Sequence, residues 1–315
     1  VTAELTQITL SEYHSPQQHK DIRLAARVFM GQPQVQRKLA YLVLVELAKY
    51  ADPLFPDMLD YLDRHDSNPR TAAFRQTVAL EYQKVKEVLA TCPPAFLRQF
   101  EQDLLTPNKP MLMRGTDPAK PLIVVFTTMF NNFYLSNLAL SALLLDRGYS
   151  VLLLKDSSGY QYLNGIPGLG ATWDAAIARI GQIAGDEGRG VVVTGFSSGG
   201  YAAGLAALAL RPQLYVGFSI SGNLSPDTDL PMPKLFTAEN RAQTPAGLRR
   251  DLVPEFRETG QPARLFAGTK SLTDLAHIRA FDGVAHVEQH VMDNEGHVTI
   301  RPLFMTDRLT DCFVV

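Results

Sequence analysis

The sequence predicts an α/β domain, a mostly parallel sheet with helices on both faces, together with an N-terminal all-helical extension. Three observations predict it. From Pro121 onward, short apolar runs alternate with stretches of helical periodicity, the pattern of strand, crossover helix and parallel strand. Val191, Val192 and Val193 are β-branched with no polar residue between them, as in a strand buried on both faces of a parallel sheet. Before about Pro110 the apolar residues recur every three to four positions and strand patterns are almost absent. The expected division is residues 1–115 for the extension and 116–315 for the α/β domain.

In the extension, Ile22, Leu24, Ala25, Val28 and Phe29 keep helical spacing, as do Leu39, Leu42, Val43, Leu44 and Leu47, and then Phe74, Val78, Tyr82, Val85 and Leu89. Pro33, Pro53, Pro56, Pro69 and the Pro93-Pro94 pair punctuate these runs, several where a helix would start. About five helices follow from this pattern. Stacked helical hairpins would carry a repeated Trp/Gly/Tyr signature, and none is present. The apolar faces of these helices must be buried. The segment is therefore expected either to cap the mouth of a site in the second domain or to dock a protein partner.

In residues 116–315, strands are expected at 122–127, 150–154, 190–194, 215–220, 264–267 and 287–292, with helices at 135–146, 172–184, 201–210 and 273–281. Residues 222–261, with Pro226, Pro231, Pro233, Pro245 and Pro254, interrupt the alternation and read as a short lid. The glycine-rich stretch 165–170 follows no strand directly and lacks the Lys-Ser/Thr of a phosphate loop, so it reads as a connection before the next helix.

Chemistry concentrates after the valine strand. Gly195-Phe196-Ser197-Ser198-Gly199 fits G-x-S-x-G, and the Ala-rich run from Tyr201 favours a helix. A serine presented from the end of a central strand needs a strained turn, and the two glycines remove side chains that would collide with strand and helix. Ser197 at a helix N-terminus places backbone N–H groups near the anion that forms when it attacks a carbonyl.

This strand, elbow and helix, with a downstream Gly296-His297, resembles the α/β-hydrolase superfamily over residues 115–315, about two thirds of the chain. The family order is serine, acid, histidine. The resemblance implies His297 as the base, in the loop Asp293-Asn294-Glu295-Gly296-His297 after the last strand; imidazoles change charge near neutral pH and suit proton transfer in both directions. His286 and His290 are rivals; four residues apart on one strand face they have the look of metal ligands, but solvated or core histidines explain them better, and no metal is expected. The acid is expected after the strand containing Leu265-Phe266-Ala267. The family spacing places it near Ser271, whereas the carboxylate of that loop is Asp274; Asp227 or Asp229 stand as alternatives from the loop after the preceding strand, ahead of Asp282 and Asp293. For the oxyanion hole the resemblance implies the N–H of Ser198 and a second donor from Thr127-Thr128-Met129-Phe130, which replaces the family's His-Gly, with Thr128 or Met129 as candidates. Phe130, Asn131 and Tyr160 come from loops at the C-terminal ends of strands, where ligands of open α/β sheets bind, and are candidates to line the substrate pocket or, equally, to anchor the N-terminal helices.

The activity implied is cleavage of an ester or thioester through an acyl-enzyme, with a Ser197-His297-Asp274 triad and no cofactor. An acyltransferase on the same triad, and a non-catalytic binding or scaffold protein on the same fold, are the alternatives. Composition agrees with a small-molecule acyl substrate. Hydrophobic residues are 46% and charged residues 20% of the 315, and a net charge of −2 offers no basic surface for nucleic acid or an anionic membrane. Two cysteines, Cys92 and Cys312, outside any C-x-x-C, and no signal-peptide pattern point to the cytoplasm. The apolar runs 122–130 and 138–145 are broken or followed by polar residues, so no membrane span is expected.

Overall fold

The computed structural model describes residues 16–32, 37–104, 109–156, 158–233 and 236–315. They fall into two compact units, Val1–Pro107 with Leu135–Leu143, and Asn108–Tyr134 with Leu144–Val315.

The first unit holds α1 (Pro16–Met30), α2 (Arg37–Lys49), α3 (Phe55–His65), α4 (Pro69–Ala90) and α5 (Pro94–Leu104). Proline supplies the fixed φ of a first turn at the start of α4, and the Asn68 side chain in front of it accepts the Arg70 N–H at 3.0 Å. Ile22, Ala25 and Phe29 pack with Val43, Leu44 and Leu47, and with Met58, Leu62 and Val78, as the periodicity requires. Leu24 and Phe74, which share that periodicity, are 57% and 43% exposed. A helical stripe wider than the buried face leaves its margin in solvent.

The second unit is built on a seven-stranded sheet in the order β1-β3-β2-β4-β5-β6-β7. Its strands are β1 (Met111–Met113), β2 (Leu122–Phe126), β3 (Ser150–Leu154), β4 (Val191–Phe196), β5 (Leu214–Phe218), β6 (Ala263–Gly268) and β7 (Val287–Met292). All neighbours are parallel except β1, which lies antiparallel on β3. β1 is too short for a sequence pattern to reveal. The helices are α6 (Asn137–Asp146), α7 (Trp173–Glu187), α8 (Ser198–Leu210), α9 (Ala238–Gln243), α10 (Val253–Thr259), α11 (Leu272–Arg279) and α12 (Ile300–Met305). The first residues of α6 group with the helical unit.

Strand alternation divides the core. Leu122, Val124, Val193, Tyr215 and Leu265 face α7, α8, α10 and α11. Phe218 points to the other face, stacked on Phe266 with centroids 4.9 Å apart and edge-on to Phe313 of a short 3₁₀ turn. Each expected strand is present to within a few residues. β5 ends at Phe218, two residues early, because Ser219 turns to φ +48°. Residues 222–261 contain α9 and α10, which their prolines had concealed; Pro254 sits in the first turn of α10. Among the described residues, no helix is long and apolar enough to cross a membrane.

Candidate active site

The site lies at the C-terminal ends of β4, β6 and β7, in the second unit. β4 runs straight into α8 through Ser197, whose backbone has φ +53° and ψ −120°. A non-glycine residue rarely holds that conformation. Close packing on either side enforces it. A Cβ on Gly195 would lie 2.5 Å from the Gly199 carbonyl oxygen, and one on Gly199 would lie 2.3 Å from that of Thr127. The Ser197 N–H donates to Phe218 O at 3.0 Å, so the elbow is also held to β5.

His297 stands opposite. Its Nε2 is 2.9 Å from Ser197 Oγ and its Nδ1 is 2.8 Å from Asp274 Oδ2. The His297 ring also lies against Phe196, with centroids 5.4 Å apart. Asp274 is buried and sits in the first turn of α11. The turn after β6 explains how a carboxylate three residues beyond the usual spacing arrives there. Lys270 N–H donates to Glu295 O at 2.8 Å, Asn294 N–H donates to Thr269 Oγ1 at 2.9 Å, and Gly268 is pressed so close to the Glu295 and Gly296 carbonyls that a Cβ would lie 2.3 Å from each. These contacts pin the histidine loop to the start of α11. Asp227, Asp229, Asp282 and Asp293 are exposed, and Asp282 accepts from Gln289 Nε2 at 2.9 Å. His286 and His290 are exposed as well; His290 stacks on Phe266 and pairs with Glu288 at 3.5 Å. Among the described residues no group of three or more His, Cys, Asp or Glu is placed to hold a metal ion.

The loop after β2 is closed on itself. Thr128 N–H donates to Asn132 O at 2.8 Å, Asn131 N–H donates to Thr128 O at 2.8 Å, and Phe130 N–H reaches Thr128 Oγ1 at 3.3 Å. Met129 N–H donates to Ser198 Oγ at 2.8 Å, which ties the loop to the first residue of α8. Phe130 is half-buried and Asn131 is buried at φ +52°. Tyr160 projects from the loop after β3, and its hydroxyl donates to Gln243 Oε1 at 2.6 Å. Asn164 Nδ2 donates to Gln243 O and Asn240 Nδ2 to Gly159 O, so this loop and α9 are stitched together.

Two supports escaped the sequence reading. Ser219 Oγ donates to His297 O at 2.6 Å and lies 3.2 Å from Thr299 Oγ1. His277, one turn after Asp274, is fully buried; its Nδ1 accepts Gly222 N–H at 3.3 Å and its Nε2 donates to Pro231 O at 3.0 Å. Burial pushes the His277 imidazole below its ordinary pKa, against the Pro231 carbonyl and the Asp274 charge, which both raise it. The signal for both was positional, a polar residue directly after a strand and one on the inner face of a helix, and neither is distinctive in sequence.

No protein-family model matches the chain, and no curated protein does. Solved structures do. A carboxylesterase structure from the thaumarchaeon Nitrososphaera gargenis is similar at 14% identity, over 64% of this chain and 93% of that one, with a TM-score of 0.46. Est1E from Butyrivibrio proteoclasticus is similar at 14% identity over 64% and 91%, with a TM-score of 0.45. MGS-MChE2, an α/β-hydrolase enzyme from a lagoon-sediment metagenome, is similar at 15% identity over 65% and 94%, with a TM-score of 0.44. The strand order, the single antiparallel edge and the elbow between β4 and α8 make the second unit an α/β-hydrolase fold.

Proposed function

We propose that the chain is a serine hydrolase that cleaves an ester or thioester of a small-molecule acyl substrate through an acyl-enzyme. The observation that carries this reading is the hydrogen-bonded chain from Asp274 through His297 to Ser197, with Ser197 on a strained elbow. Ser197 Oγ attacks the carbonyl carbon as its proton passes to His297 Nε2. The tetrahedral intermediate collapses, the bond to the leaving oxygen or sulfur breaks, and His297 protonates that atom. Water then gives a proton to His297 and attacks the acyl carbon; collapse releases the acid and returns the proton to Ser197. Asp274 holds the Nδ1–H and balances the imidazolium. The backbone N–H of Ser198, in the first turn of α8, faces the anion.

The test is labelling with a fluorophosphonate, which reacts with an activated serine. Wild-type protein should be labelled at Ser197, and Ser197→Ala should lose both labelling and ester turnover, the latter by several orders of magnitude. Labelling that persists in Ser197→Ala overturns the assignment.

A further inference from the structure

An oxyanion hole needs two donors aimed at one point. The fold supplies one from the residue after the nucleophile and the other from a backbone N–H of the loop after β2. In this chain that second source is already committed: the N–H groups of Thr128, Phe130 and Asn131 all bond within the loop, and that of Met129 bonds to Ser198 Oγ at 2.8 Å. Each backbone N–H has one hydrogen to give. Ser198 Oγ accepts the Met129 N–H, and among the described residues no hydrogen bond takes up its own hydrogen.

We propose that the Ser198 hydroxyl is the second donor of the oxyanion hole, standing in for the loop N–H that it intercepts. The inference rests on Ser197 being the nucleophile. The hydroxyl sits between the first turn of α8 and the β2 loop, and packing keeps it there: the carbonyl oxygens of Phe126 and Thr127 lie so close to Gly199 that the loop abuts the helix start. Accepting the Met129 N–H polarises the hydroxyl and strengthens it as a donor. Met129 N–H, Ser198 Oγ–H and the developing oxyanion then form a relay. Ser198 thereby contributes twice, through its backbone N–H and through its side chain, whereas a backbone contribution alone predicts indifference to the side chain.

The test uses the full chain and two probes. The first is the fluorophosphonate, whose phosphoryl oxygen gains charge as Ser197 attacks. The second is a short alkyl trifluoromethyl ketone, to whose carbonyl carbon Ser197 adds, forming a hemiketal oxyanion while its proton passes to His297. In Ser198→Ala the labelling rate constant should fall by ~10²–10³-fold, the loss expected for one oxyanion-hole donor, and protection by the ketone should weaken by a similar factor. Ser198→Thr, which keeps the hydroxyl, should recover most of both. Thermal unfolding of each variant shows that the fold is intact. Ser198→Ala labelled as fast as wild type overturns the proposal, and so does slow labelling with undiminished ketone protection, or a threonine variant as impaired as the alanine one. Failure of the underlying reading looks different: label that stays on Ser197→Ala, or wild-type protein that takes up none.

Discussion

The Ser219 hydroxyl donates to the main-chain oxygen of His297 over 2.6 Å, so the residue directly after β5 braces the loop that carries the imidazole. Ser219 does this from φ +48°, a conformation that costs energy in a residue with a Cβ. Removing the hydroxyl leaves the His297 carbonyl with the Thr299 N–H, at 3.1 Å, and cuts the tie between the loop and the end of β5. Ser219→Ala should lower turnover about fivefold, the worth of one hydrogen bond of about 1 kcal/mol, with KM nearly unchanged. Steady-state kinetics on a p-nitrophenyl ester measures this, and wild-type kcat in the variant would show that the brace is idle.

Asp274 is the buried carboxylate on His297 Nδ1, at 2.8 Å, while Asp227 and Asp229 are exposed. Asp274→Asn should preserve the shape but favour the wrong imidazole tautomer, with kcat falling by up to ~10⁴-fold. Asp227→Asn and Asp229→Asn should stay within about twofold, as surface changes do. The three variants are compared on one ester, and the largest loss falling on Asp227 or Asp229 would move the acid to the loop after β5.

Most of the sheet was legible because buried parallel strands write themselves as apolar runs, and Val191-Val192-Val193 and Leu122 to Phe126 did so. The elbow was legible because its glycines are required by contacts of 2.3–2.5 Å that no side chain could satisfy. What stayed hidden was set by tertiary contact. Asp274 reaches His297 because Lys270, Thr269 and Gly268 are tied to the 292–296 loop, and no local pattern announces bonds between residues 25 apart. The bond between the Ser198 hydroxyl and Met129 was hidden for the same reason, since it spans a separation of 69 residues.

Gly199 tests the packing behind the elbow. A Cβ there would meet the Thr127 and Phe126 carbonyl oxygens at 2.3 and 2.4 Å, both backbone atoms that cannot turn aside. Gly199→Ala should destabilise the protein by about 1–3 kcal/mol, the usual penalty for overpacking, and slow fluorophosphonate labelling by displacing the loop from the elbow. Urea unfolding and labelling rates report the two effects. A variant with unchanged stability would mean that the strand end and the helix can separate at little cost.

His277 gives stability a pH dependence whose sign can be stated. Its pKa is lowered in the folded chain, chiefly by burial, so the native state holds the imidazole neutral while the unfolded chain takes up a proton below about pH 6.5. The contribution is full above that value and is lost as pH falls through the lowered folded pKa. Unfolding free energies at pH 7.5 and 5.5 should therefore differ less in His277→Gln than in wild type. An identical pH slope in the two proteins would remove His277 from the account.

In the helical unit, Asp66 is fully buried and joins three helices. It accepts hydroxyl hydrogens from Tyr41 and Thr71, each at 3.0 Å, and the Asn68 N–H at 3.2 Å, while Arg37 lies 3.3 Å away. Burial alone would raise the Asp66 pKa, but these donors and the Arg37 charge outweigh it and hold the carboxyl below its ordinary value. The carboxylate therefore stabilises the unit above the unfolded pKa of about 4, and that stability is lost as pH falls through the lowered folded value. Asp66→Ala takes the acceptor from the Tyr41 hydroxyl and the Asn68 N–H and the counter-charge from Arg37, while the Thr71 hydroxyl keeps the Asn68 carbonyl at 2.8 Å. The loss should be about 3 kcal/mol, at the low end for a broken buried ion pair because Arg37 is 60% exposed and retains its water. Hydrogen exchange reads this locally: amides of α2, α3 and α4 should exchange on the order of 10²-fold faster in Asp66→Ala, as 3 kcal/mol of lost protection implies. Exchange in those helices at the wild-type rate would mean that the apolar core around Leu44, Met58 and Leu62 holds the unit together without Asp66.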